Sequence, residues 1–406
     1  MARYRVVSED GHPVGRRTAF RVRPPVRQRE HAPTGPAPGA DRGPPAPSMG
    51  ATAESTHEEL SAGGVTDLAF AAARGTGYLA IALATGGAVF LLVIWLPAIA
   101  RMAGAGAGWR TVSALFVAHL RIPLVGTVAL GMLATELAIV LEGATAAGIS
   151  FWAALDLDVV ESVSEIRAVQ AWGMRFAVWA ILGAIIVAAL RPHRAPVLRR
   201  AALGADGAAL GPAPTRPLQL ALLSALVALA ATAPAAGHTG TYSPSGLLIS
   251  ADTLHVLSMG AWLGGLAMLL VVVPRALRAL SPVDRTPLLA VVVGRFSRLA
   301  MIAVAVLLLS GAVQSVAGVG SVPALVETAY GRLVLAKILL FLGLITLGAY
   351  NQRRLLPRLR LLASGGEQPD RAAALLRRST ALEVGFAAIV LSVTSVLVVA
   401  EPVTRG

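Results

Sequence analysis

The sequence predicts an all-α protein, a polytopic membrane helix bundle of about eight transmembrane helices. Three observations carry that expectation. Of 406 residues, 55% are hydrophobic and only 14% charged, against about a quarter charged in an ordinary soluble domain. Mean hydropathy is +0.69. The charges are swept out of long apolar runs, each of roughly the 20 residues needed to cross about 30 Å of hydrocarbon. Lipid offers no partner to an unpaired backbone amide, so these runs must be helical. They also lack the alternation of a membrane barrel.

Residues 1–60 stand apart from the bundle. They hold nine Arg and nine Pro, with too little apolar surface to offset the entropy of ordering, so this tail is expected to be disordered. It lacks the apolar core of a signal peptide. Met49 opens a shorter reading frame, which would leave residues 1–48 untranslated. The membrane domain is expected over 61–400, with spans near 76–100, 123–147, 170–190, 217–236, 248–273, 297–319, 330–350 and 381–400.

Loop charges set the expected topology. Residues 101–122 carry Arg101, Arg110 and Arg121; 191–216 carry five Arg, 274–296 four and 351–380 seven. The loops between them are acidic or neutral: 148–169 holds Asp156, Asp158, Glu161 and Glu165 against Arg167, and 237–247 is uncharged. The positive-inside rule puts the basic set in the cytoplasm and both termini outside, in an inner or plasma membrane. The net charge of +13 is then topology information. No basic face with interleaved aromatics marks nucleic acid as a partner. The chain has no cysteine, which excludes disulfides and thiolate metal sites. No GxxxxGK[ST] signature supports ATP-driven pumping, and no catalytic residues are expected.

A repeat of two parallel four-helix halves is also suggested. Gly86-Gly87, Leu91-Leu92-Val93 and Pro97 in the first span match Gly264-Gly265, Leu269-Leu270-Val271 and Pro274 in the fifth. Trp172-Gly173 matches Tyr330-Gly331 at the heads of the third and seventh. Some transporters are built this way.

Ionisable groups inside spans are costly, and each is a functional candidate. The fifth span is richest. His255 and Met259 lie four residues apart on one helix face, with Asp252 a turn before and Trp262 a turn after. His238 closes the fourth span across a short uncharged loop. Imidazole with thioether suits copper, Cu(I) above all, whereas hard ions want oxygen. Asp252 is placed to orient the His255 ring. On spacing alone, an interhelical hydrogen bond and space-filling explain His255 and Met259 equally well. Lys337, the one lysine beside 34 arginines, sits two turns into the seventh span, as a pathway group or snorkelling to the headgroups. Glu136, a turn after Met132, is a candidate to pair with Lys337, carry protons or meet the ion. Glu142, Gln314 and Glu383 read as glue between helices, and His119 as interfacial.

These residues carry a family resemblance. Gly237-His238-Thr239, then Ala251-Asp252-Thr253-Leu254-His255 running into Gly260-Ala261-Trp262-Leu263-Gly264-Gly265-Leu266, resembles the His helix of the CopD family of copper resistance and copper transport proteins. Arg295-Phe296-Ser297-Arg298-Leu299-Ala300 with Ser310-Gly311 is similar to that family's next span. Thr328-Ala329-Tyr330-Gly331-Arg332-Leu333 with Lys337, then Asn351 and Pro357, is similar to its Tyr-Gly-Arg…Lys segment. The match covers 235–360 in order and spacing; the first four spans fit by hydropathy and position. The resemblance implies copper at His238 and His255, movement of the ion across the cytoplasmic membrane with uptake favoured, and copper homeostasis or resistance. It also implies an independent periplasmic CopC-like copper-binding partner. Two alternatives stay open: a membrane haem b or redox protein, which His238 and His255 would serve by bis-His ligation, and a factor delivering copper to a respiratory oxidase.

Overall fold

The computed structural model describes residues 2–7, 13–18, 64–102, 107–147, 149, 151–152, 167–190, 215–235, 244–319, 321–355, 357, 361 and 369–399. Within the tail expected to be disordered, β1 (Ala2–Val7) and β2 (Pro13–Thr18) pair antiparallel. The rest is helical, an all-α polytopic bundle. In chain order come α1 (Gly64–Val89), a π-helical turn (Phe90–Trp95), α2 (Leu96–Met102), α3 (Ala107–Ala147), α4 (Arg167–Ala189) and α5 (Arg216–Ala235). Then follow α6 (Ser245–Met259), a second π turn (Gly260–Gly264), α7 (Gly265–Leu277), α8 (Pro282–Val319), α9 (Ala324–Glu327), α10 (Ala329–Tyr350), a third π turn (Asn351–Leu355) and α11 (Pro369–Val399).

Among the described residues, seven helical stretches are long and apolar enough to cross a membrane: Leu68–Met102, Thr111–Thr145, Val169–Ala189, Arg216–Pro234, Ser245–Leu277, Val283–Val319 and Ala329–Arg354. They coincide with the first seven expected spans. The eighth expected span falls on α11, whose first half carries Asp370, Arg371, Arg377, Arg378 and Glu383, so its apolar run is shorter. The main departure is length. α3 and α8 have 41 and 38 residues, so each is roughly 60 Å long, twice the hydrocarbon thickness. The basic stretches expected as loops at 101–122 and 274–296 are thus largely helix. Arg121, Arg295 and Arg298 ride on helices that leave the apolar layer without unwinding.

α1 and the α6–α7 pair form the centre. α1 packs on α3, α5, α7, α11 and the second π turn, while α6 packs on α5 and α8. The crossing is glycine against glycine. A Cβ on Gly86 would collide with the backbone of Gly264 and Gly265, and one on Gly264 with the carbonyl of Ala82. Small residues are what let backbones approach this closely in lipid. The two glycine pairs matched in the sequence therefore touch each other. At the far end, Trp95 stacks on Phe116 with ring centroids 4.0 Å apart, and Phe90 lies between Phe116 and Phe296 at 5.9 and 6.3 Å. This aromatic block ties α1, α3 and α8 together. Arg295 donates through Nε and Nη2 to the Val93 carbonyl at 3.2 and 2.8 Å. That carbonyl lies within the first π turn, where the regular ladder is interrupted.

Candidate metal centre

His255 is positioned by α8. Its Nδ1 lies 3.0 Å from Ser310 Oγ. The Ser310 hydroxyl has its shortest contact, 2.6 Å, with the Val306 carbonyl; donating there, its oxygen accepts from Nδ1–H. The ring is thereby held in the tautomer whose Nε2 carries the lone pair, the form a metal needs. Gly311 lies beside the ring, where a Cβ would make an ordinary contact with the His255 Cε1 at 3.5 Å.

Asp252, His255, Met259 and Trp262 all line one cavity of about 610 Å³, enclosed by α6, α8, α10 and α11 with Arg74 and Tyr78 from α1. Lys337 and Tyr330 face it from α10. The Lys337 ammonium and the Asp252 carboxylate act on each other electrostatically, and Arg175 also bears on Asp252. Trp262 is buried, edge-on to Phe341 with centroids 5.8 Å apart. The second π turn begins right after Met259 and contains Trp262. It shifts the helix phase between the polar face above and the glycine crossing below. Gly260, Gly264 and Gly265 of the glycine-tryptophan signature serve packing against Thr85, α1 and Phe296.

Not every expected residue joins this group. His238 lies outside the described residues. Glu136 is on an exposed face of α3 and does not line the cavity; the cavity carboxylate that Lys337 faces is Asp252. Of the residues read as glue, Glu142 accepts from Trp172 Nε1 at 3.4 Å and Glu383 accepts from Asn351 Nδ2. Gln314 instead lines the cavity, and its Nε2 has no partner among the described residues. His119 Nδ1 bonds the Leu115 carbonyl of its own helix at 2.7 Å. Among the described residues no group of three or more His, Asp or Glu is gathered as a metal cage. Among the described residues that line the cavity, the imidazole of His255 and the thioether of Met259 stand beside the Asp252 carboxylate.

Two residues escaped the sequence reading. Arg175 of α4 is 3% exposed. It donates to Thr232 Oγ1 at 2.8 Å and the Thr232 carbonyl at 2.7 Å, with its guanidinium 4.1 Å from the Trp172 ring centroid. Arg74 is also buried, 5.2 and 5.5 Å from the Phe70 and Trp172 centroids. An arginine inside a span was itself the signal, but Arg74 fell just before the expected first span. The first half thus contributes fixed positive charge beside the cavity.

Comparisons with known proteins bear on the family of the chain. The family model for copper resistance protein D matches residues 290–397. Copper resistance protein D of Pseudomonas syringae pv. tomato is 32% identical over 285 residues, covering 69% of this chain and 84% of that protein. Copper transport protein CutJ of Bacillus subtilis (strain 168) is 36% identical over 115 residues, 28% of this chain and 20% of CutJ. No solved structure matches. Identity at that level over most of a relative's length, on a multi-pass helical bundle, places the chain in the copper resistance protein D (CopD) family.

Proposed function

We propose that this protein carries copper across the cytoplasmic membrane, taking the ion at the outer face and serving copper homeostasis and resistance. The observation that supports this most is the His255 ring, locked by Ser310 with Nε2 as its lone-pair nitrogen, in one cavity with the Met259 thioether. Imidazole and thioether together favour Cu(I) over hard ions. His238, which lies between α5 and α6 in the sequence, is the proposed third ligand. Asp252 supplies negative charge beside the ion, and Lys337 balances that charge when the ion is absent, so that the empty cavity holds no lone buried carboxylate. Both termini lie outside in this reading, and a soluble CopC-like protein hands over the ion.

The names of the two relatives, a copper resistance protein and a copper transport protein, support copper as the cargo. The test is metal analysis of the purified protein together with copper accumulation in cells carrying wild type or His255→Ala. Expected are copper in the wild type, its loss in a folded His255→Ala protein, and lower accumulation in the variant. Unchanged copper content in His255→Ala would overturn the ligand assignment. A Soret band in the purified protein would favour haem instead. Copper binding without flux in proteoliposomes would favour a delivery factor.

A further inference from the structure

A second cavity, of about 250 Å³, lies deeper in the same half of the bundle. Its wall combines Met301 of α8, Asn351 and Gln352 of the third π turn, and Ser379, Thr380 and Glu383 of α11. Two residues, Trp262 and Leu344, line both this cavity and the one that holds His255. Both side chains are buried, and the Phe341 ring braces the indole from the outer side.

The chemistry on the far side of that partition resembles the chemistry on the near side. It offers a thioether at Met301, a carboxylate at Glu383 and amide oxygens at Asn351 and Gln352. Gln352 Nε2 already touches the Met301 sulfur at 3.1 Å, and the buried Ser379 hydroxyl has no hydrogen-bond partner among the described residues. Asn351 already donates to Glu383, so the Ser379 hydroxyl is the buried group here that an occupant would satisfy. A hydrophobic side chain standing between two polar chambers is how membrane conduits close to water and ions.

We propose that the two cavities are the two compartments of one conduit between α6, α8, α10 and α11, that Trp262 is the barrier between them, and that the Met301–Glu383 cavity is the site receiving the ion after His255. This rests on the copper reading for the identity of the ion, but the barrier does not. The half formed by α1 to α5 is then the wall of the conduit, contributing Arg74 and Tyr78 to its outer chamber.

The absence of cysteine from the chain allows a direct test. A single cysteine is placed at Ala300, which lines the inner cavity, and a control cysteine at Leu248, which lines the outer one. A membrane-impermeant thiol reagent is added on the side from which the Leu248 cysteine reacts. With Trp262 present, the Ala300 cysteine should be protected. Trp262→Ala should make it react at least about tenfold faster, and Trp262→Phe, which keeps a ring, should preserve protection. Leu344→Ala is the second opening variant if Trp262→Ala does not fold. Equal labelling with and without the indole, or no labelling in either opened variant, would overturn the barrier. In proteoliposomes, Glu383→Gln should slow Cu(I) flux about tenfold while the His255-dependent binding is retained; unchanged flux would overturn the receiving site. If the wild type moves no copper at all, the copper reading fails while the cysteine result still decides the barrier.

Discussion

His255 matters less for being a histidine in a span than for which nitrogen it offers. Ser310 decides that, because its own proton goes to the Val306 carbonyl. Ser310→Ala should leave the ring free to choose its tautomer and to rotate. Copper affinity should fall about tenfold, the usual effect of removing a ligand's supporting hydrogen bond, without loss of folding; competition titration against a Cu(I) chelator measures it. Lys337→Met makes the opposite prediction. It removes the ammonium that faces Asp252, so the carboxylate is left for the ion alone. The same titration should show tighter binding and proteoliposomes slower release. The sequence displayed His255, Met259, Asp252 and Lys337 as unusual, because each is costly in lipid. It did not display Ser310 as their partner, since a serine in a helix commonly bonds its own preceding turn and is inconspicuous there.

At the scale of the helix, the glycines carry the argument. The Gly-Ala-Trp-Leu-Gly-Gly run looks like a functional signature in the sequence, and the structure divides the labour within it. The glycines let α1 approach to backbone contact, and the tryptophan faces the cavities. Gly264→Val would set branched carbons against the Ala82 carbonyl. It should destabilise the bundle by about 1–3 kcal/mol, the usual cost of forcing volume into a packed contact, visible as a lower melting temperature in detergent. Gly126→Ala, where an added Cβ meets nothing within 4 Å, should be neutral and is the control. The π turns belong here too. Each gives up regular hydrogen bonds, and the first is compensated by Arg295 reaching the Val93 carbonyl across 202 residues of chain. Hydropathy registers none of this, because a π turn and an α turn of the same residues are equally apolar.

Taken whole, the molecule is two sets of helices whose backbones come closest at one glycine crossing and which also meet where α5 packs on α6, α1 on α11 and α3 on α7. Arg74 and Asp252 stand equally far ahead of their glycine pairs, so the matched position is basic in one half and acidic in the other, and Gly77 and Ile81 stand where the second half has His255 and Met259. A chain cut within residues 236–243 and expressed as two pieces should co-purify through the α1–α7 contact. Gly86→Leu, which places a branched side chain against the Gly264 backbone, should weaken that association; pull-down from detergent extracts reads the outcome. The first half contributes a buried cluster of Arg74, Arg175 and Trp172, whose Arg74 lines the cavity.

The sequence by itself determined the membrane architecture, since the cost of exposing a backbone to lipid leaves a long uncharged run no choice but helix. It also marked out the helix that lines the cavity with His255, Met259 and Asp252, because a polar side chain in such a run is costly. What only the tertiary structure decided is which of those costly groups meet. Lys337 faces Asp252 and not Glu136, Gln314 opens onto the cavity while Glu142 and Glu383 bond neighbouring helices, and Trp262 stands between two chambers. Those pairings depend on helix rotation and crossing distance, set by glycines and π turns whose consequences appear only when a second helix is packed against them.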